Sequence, residues 1–237
     1  MNEHIEGGGP GINGDTADFR VRVAAQAIRL FAAHGYEATT VDQIAAAAGV
    51  SRRTFFRQFR SKEDVIFTDH ESLLAQASAH LAATDEDPWT AVCTAAHLVF
   101  DRFRENRDLS VRRYRVVQRV PALRDRELVT VHRYERLFTD YLRDAVPTAP
   151  AVDVVGFAAA VTACHNHLLR AMIRGDETAT PTALERTLTD IRCRYGVTPD
   201  AHVPAPESRP AVTVVTYPAG TAPDEVARRV REQLSQY

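Results

Sequence analysis

Apolar residues recur at helical spacing along most of this chain. Between Asp18 and His34, Val23, Ala27, Leu30 and Phe31 fall at i, i+4, i+7 and i+8, with Ala24 and Ile28 widening the stripe, which predicts an amphipathic helix stopped at Gly35. Thr40 caps a second, shorter helix with Val41, Ile44, Ala45 and Ala48 on one face. Gly49 supplies a left-handed stop, Val50 docks the turn, and Ser51 caps a third helix in which Phe55 and Phe59 face inward. Ser61 caps a fourth, with Asp64 at its third position. Further helices are predicted at 88–106, 109–119, 124–145, 151–174 and 182–195, broken by Asn106 to Asp108, Pro121, the 147–150 segment and Gly196. Segment 151–174 has almost no polar face and is expected to be buried on all sides.

Both ends read differently. Residues 1–17 are glycine-rich, cannot bury a face and are expected to form a disordered arm. After 196, Pro199, Pro204, Pro206 and Pro210 mark a linker. Val212 and Val214 then alternate as a short strand, and Thr221 to Leu234 reads as an amphipathic helix. The expected domains are therefore 1–17, 18–64, 65–196 and a 197–237 extension.

The helix–glycine–helix between Thr40 and Phe59 carries chemistry on its outer face. With Phe55 and Phe59 inside, Arg52, Arg53, Thr54, Phe56 and Arg57 lie mostly outside. This is the helix-turn-helix pattern, whose second helix enters the DNA major groove. The chain as a whole carries a net charge of −2, so DNA contact must come from local charge. From Asp18 to Asp64 there are eight basic and five acidic residues, including Lys62, the sole lysine in the sequence. Lys62 stands at a helix N-terminus, where free N–H groups favour a phosphate.

These residues carry a resemblance. Phe31, Gly35, Tyr36, Thr39, Thr40, Val41, Ile44, Ala45, Ala48, Gly49, Val50, Ser51, Phe59, Ser61 and Lys62 match, in order, the DNA-binding domain of the TetR family of bacterial repressors. The match covers roughly residues 18 to 70. It implies an all-α, TetR-like helical bundle with an N-terminal three-helix reading head, here followed by the strand-and-helix extension. It also implies a homodimer on a palindromic operator in double-stranded DNA. Thr40, Thr54 and Lys62 would hold phosphates, while Ser51, Arg52, Arg53, Phe56 and Arg57 complete the DNA-facing set. Family members often carry tyrosine where this chain has Phe56, so a hydroxyl contact is missing. The last two bundle helices would form the dimer interface.

The resemblance further implies a small-molecule effector bound in the body. The run Arg119 to Arg126 is similar to a mycofactocin-type subgroup thought to sense acyl-CoA, and His97, Arg104, Arg113, Tyr114 and His165 are the candidate ligand-binding residues. An alternative is a DNA-binding adaptor whose 197–237 extension takes a protein partner without a small ligand.

Other chemistries find little support. Cys93, Cys164 and Cys193 lie far apart, with no metal-ligand spacing, and His165 and His167 point different ways on one helix. No nucleophile–base set or glycine-rich phosphate loop is apparent, so no enzyme activity, metal or cofactor is expected. No signal segment or uncharged run of membrane-spanning length is seen, and a cytoplasmic protein without membrane contact is expected.

Overall fold

The computed structural model describes residues 12–197, together with Glu225, Val226 and Arg228. Ten helices follow in order: α1 (Ile12–His34), α2 (Val41–Ala47), α3 (Arg52–Gln58), α4 (Lys62–Ile66), α5 (Thr68–Ala83), α6 (Pro88–Glu105), α7 (Arg107–Arg119), α8 (Pro121–Ala145), α9 (Ala151–Arg174) and α10 (Pro181–Arg194). Among the described residues there is no strand. The expected strand near 212–214 lies outside them. Of the expected last helix, Glu225, Val226 and Arg228 are helical.

Two boundaries differ from the sequence reading. Helix α1 begins at Ile12, inside the expected disordered arm, of which residues 1–11 lie outside the described set. The single fourth helix is instead two, because Phe67 (φ −102°, ψ 8°) ends α4 and begins α5. Phe67 is buried, and its apolar ring is fixed where the chain turns.

Residues Met1–Pro199 form one compact unit, and Asp200–Tyr237 a second. The first unit holds two apolar cores. One gathers Val23, Phe31, Ile44, Phe55, Phe59 and Val65 from α1 to α4, and is completed by Val116 and Val117 of α7 and Leu123 of α8. The other is built by α5, α6, α8, α9 and α10 around residues such as Trp89, Phe100, Phe138, Phe157 and Leu188. The 18–64 segment thus does not close its own core, since Val65, Ile66 and Phe67 that follow it, and Val116, Val117 and Leu123 of α7 and α8, complete it.

Helix α9 packs on α6, α8 and α10. By length and composition it is the one described helix apolar enough to cross a membrane. Within this chain it is not buried all round, as the sequence suggested: Val152, Val155, Ala163 and His167 are exposed. The apolar run instead leaves one side uncovered in the single chain. Gly156 on that helix admits Tyr195, whose hydroxyl would lie 2.5 Å from any added Cβ.

Candidate functional site

The reading head is set by caps. Thr40 accepts a hydrogen bond from the Gln43 N–H, and the Gln43 side chain accepts from the Thr40 N–H at 2.8 Å, a reciprocal capping box. Gly49, at φ 69°, makes the turn. Ser51 Oγ accepts from the Thr54 N–H at 3.0 Å and lies 2.9 Å from the Thr54 hydroxyl. Each cap stabilises its helix by about 1 kcal/mol. Phe55 and Phe59 point inward, their rings 5.0 Å apart, and anchor α3 so that its other face stays outside.

That outer face is cationic and partly apolar. Arg52 Nη1 reaches Asp42 Oδ2 of α2 at 2.7 Å, and its guanidinium stacks 5.3 Å from the Phe56 ring. Phe56 itself is 45% exposed. Arg53 and Arg57 are exposed and make no ion pair or hydrogen bond among the described residues. Lys62, by contrast, is occupied. Its ammonium donates to the Tyr36 carbonyl at 3.0 Å, sits 4.1 Å from the centre of the Tyr36 ring, and lies 3.8 Å from Glu37. The Tyr36 hydroxyl in turn donates to Glu63. Burial and the neighbouring Glu63 push the Tyr36 phenol above its ordinary range. Burial alone would raise the Glu63 carboxyl, but hydrogen bonds from Ser61 and Tyr36 outweigh it and hold it below its usual value.

Ion pairs tie the head to the body. Arg126 of α8 pairs with Asp64 in the first turn of α4, where Asp64 also accepts from the Arg60 N–H at 2.9 Å. Glu71 of α5 meets Arg20 of α1 at 3.2 Å and Arg133 of α8 at 3.9 Å. Phe67 and Val117 belong to the head core and also line a cavity in the body.

The cavity, about 40 Å³, lies among α5, α6, α7, α8 and α9. Space of that size holds roughly one to three waters. Its wall is mainly aromatic and aliphatic, including Phe103, Tyr114, Tyr134, Phe138, Leu169 and Ile173. A few polar groups interrupt it: His70, Arg113, Thr130, Thr162, His165 and the Glu127–Arg170 pair at 3.5 Å. Burial first, and the nearby Arg113 second, push the His70 imidazole well below its ordinary value, and burial lowers His165 to about 4. Both rings are therefore neutral at pH 7. Burial also lowers Arg113, against the opposing pull of Asp69 and Glu127.

Three of the five candidate ligand residues, Arg113, Tyr114 and His165, line this cavity. His97 and Arg104 do not. His97 turns to α10, 2.7 Å from Glu185, and Arg104 pairs with Asp101 on the surface at 3.1 Å. Sequence reasoning missed His70, Glu127, Tyr134 and Thr162. The available signal was their place on the inward faces of amphipathic helices, which does not say which buried residues border a void. No group of three or more metal-ligating side chains occurs among the described residues.

Residues 24–67 match the model described as bacterial regulatory proteins, tetR family. Over 115 residues the chain is 39% identical to the HTH-type transcriptional regulator TcmR of Streptomyces glaucescens, covering 44% of this chain and 50% of that one. Over 99 residues it is 40% identical to a Mycobacterium tuberculosis protein named as a mycofactocin biosynthesis transcriptional regulator, MftR, covering 41% and 50%. The chain thus spans about half the length of these curated relatives. A solved structure named as a TetR-family transcriptional regulator of Syntrophomonas wolfei aligns with a TM-score of 0.59 at 18% identity, over 76% of this chain and 95% of that one, a likeness of fold.

Proposed function

We propose that this chain, whose residues 24–67 match the tetR family of bacterial regulatory proteins, is a TetR-family protein and a dimeric transcriptional repressor. It binds a palindromic operator and is released by a small, largely apolar ligand. Two copies of α3 enter adjacent major grooves, so a two-fold protein reads a two-fold site. Arg53 and Arg57 meet base edges, where an arginine fork matches guanine O6 and N7. Arg52 joins them by exchanging Asp42 for DNA. Thr40, Ser51 and Thr54 set register on the phosphates, Lys62 joins them by exchanging its contacts with Tyr36 and Glu37 for a phosphate, and Phe56 offers an apolar contact to a thymine methyl. The uncovered side of α9, with Val152, Val155 and Ala163, meets its copy and, with α10, forms the dimer interface.

The observation that carries this reading is the pair Arg53 and Arg57, exposed beside Phe56 with no protein partner among the described residues. Release follows from shared walls. A ligand that widens the cavity displaces Phe67 and Val117, which also sit in the head core, and so shifts the population between two dimer geometries. The release scheme by itself does not choose among apolar effectors, an acyl-CoA with its chain in the cavity and its phosphates on the exposed arginines of α7 being one class it leaves open.

The test is footprinting of the purified protein on DNA upstream of its own gene, and on sites selected from random DNA, over a salt series. A protected palindrome that disappears in Arg57→Ala supports the reading. Protection of no palindrome by either route, even at low salt, overturns it.

A further inference from the structure

Resting on the cavity as the effector site, we infer that its ligand is an organic acid: a carboxylate on a compact, largely apolar body, anchored by Arg113. The inference begins with a missing partner. Arg113 is 6% exposed, and its Nη1 is buried without a hydrogen bond. A buried guanidinium is normally paired, because removing a charge from water without a counter-charge is costly. Here the two nearby carboxylates are otherwise placed. Glu127 is taken by Arg170 at 3.5 Å, and Asp69 lines a second hollow, between α5 and α6 on the other side of Phe103, with Ser72, Gln76 and Arg102. Neither lies within ion-pair distance of Arg113. The Phe103 ring, 4.7 Å from the guanidinium carbon, fixes the plane of the group but supplies no anion.

Two further polar atoms in the same cavity wall lack partners. Thr162 Oγ1 and His165 Nε2 of α9 are buried without a hydrogen bond, in residues that are themselves buried. A cation and two neutral polar groups, all unsatisfied and bordering one apolar void, form a set that a single carboxylate satisfies. One oxygen accepts from Arg113, and the carboxylate's remaining acceptor sites face the hydroxyl and the imidazole. The aromatic wall, parted as the ligand widens the 40 Å³ cavity, then holds the apolar body. A CoA thioester has no carboxylate at its acyl end and leaves Arg113 facing a weak carbonyl acceptor, so the free acid, not the thioester, is the assigned class.

The test uses the full-length protein without DNA, so that it does not depend on operator binding. Calorimetric titration compares 2-naphthoate with 2-naphthalenemethanol, and decanoate with decanol and with decanoyl-CoA. At least one acid is expected to bind ten-fold or more tighter than its own alcohol. Arg113→Met should erase that preference while leaving the alcohol's affinity within about three-fold. Arg113→Lys, which keeps the charge, should retain part of the preference and guards against a folding defect in the first variant. If neither acid outbinds its alcohol, the assignment fails. A preference that survives in Arg113→Met also overturns it, as does tighter binding of decanoyl-CoA than of decanoate. Operator footprints taken separately tell the two failures apart: acid binding without a footprint removes the repressor reading only, and a footprint without acid preference removes the ligand class only.

Discussion

The arginines of α3 and Arg113 of α7 carry the same guanidinium in opposite surroundings. On α3 the charge stays in water, so holding it out costs little and any partner is exchangeable. In the cavity the charge is desolvated, stacked on Phe103, and has no directly paired anion, Asp69 and Glu127 acting on it only from beyond ion-pair distance. One arrangement suits a long polyanion met by many weak, salt-sensitive contacts. The other suits one small anion met once. Position relative to solvent, more than residue type, separates the two candidate sites.

The largest expected effect breaks the exposed half of the comparison. Arg53→Ala and Arg57→Ala should each weaken operator binding by about 1–3 kcal/mol, roughly five- to 150-fold, if they read bases. Folding should be unchanged, because both side chains are exposed. A residue that touches only phosphate would instead weaken all sequences equally and reduce the salt slope by about one. Filter binding over a salt series, on operator and random DNA, separates these outcomes. An unchanged affinity in the double variant would remove α3 as the reading helix.

The buried half makes a prediction of similar size through pH. In the folded protein burial lowers His165 to about 4 from an ordinary 6.5, and lowers His70 in the same direction. As pH falls below 6.5, the unfolded chain takes up protons at these positions that the native state refuses. Stability is therefore full above pH 6.5 and is lost progressively as pH falls toward 4. The loss is on the order of 3 kcal/mol for His165 alone. Urea unfolding at pH 7.5, 6.0 and 5.0 should show it, and His165→Leu should flatten part of the slope. An equal slope in that variant would mean that His165 is not held neutral.

The two sites also differ in how far the sequence revealed them. The head was legible because its determinants are local. Thr40 caps through Gln43 three residues on, Gly49 turns the chain, and Phe55 and Phe59 lie one turn apart. Local spacing says which face is outside, and so it found Arg52, Arg53 and Arg57 together. It did not show that Lys62 would be held by Tyr36, a contact across twenty-six positions. The cavity is non-local throughout. Its wall draws Phe67 from the α4–α5 junction and Phe103, Arg113, Tyr134 and His165 from four different helices, and an amphipathic pattern marks a residue as inward without saying what it meets. His97 and Arg104 have the same helical look as Arg113, yet pack toward Glu185 and Asp101. The break at Phe67 was hidden for a related reason. At the break stands a side chain buried in the head core that also borders the cavity, which no periodicity within one helix records.

Arg113→Met tests the energetics directly. If the guanidinium is an uncompensated buried charge, replacing it with an apolar side chain of similar length should raise stability by about 1–3 kcal/mol. The gain should shrink when an acid ligand is present, because that ligand stabilises only the parent protein. A lower melting temperature in the variant without ligand would show that Arg113 is compensated, and the contrast with α3 would collapse.

The smallest effect comes from Asp42→Asn, which releases Arg52 from its ion pair. Both side chains are well exposed, so the pair at 2.7 Å should contribute less than about 0.5 kcal/mol to folding. Operator affinity should nevertheless rise a few-fold, since an acidic group leaves the DNA-facing surface and Arg52 no longer has a protein anion to give up. Chemical denaturation and operator titration of this one variant therefore move independently. If stability fell by more than about 1 kcal/mol instead, the pair would be structural, and Arg52 would belong with the buried, committed arginines rather than with the exchangeable ones on α3.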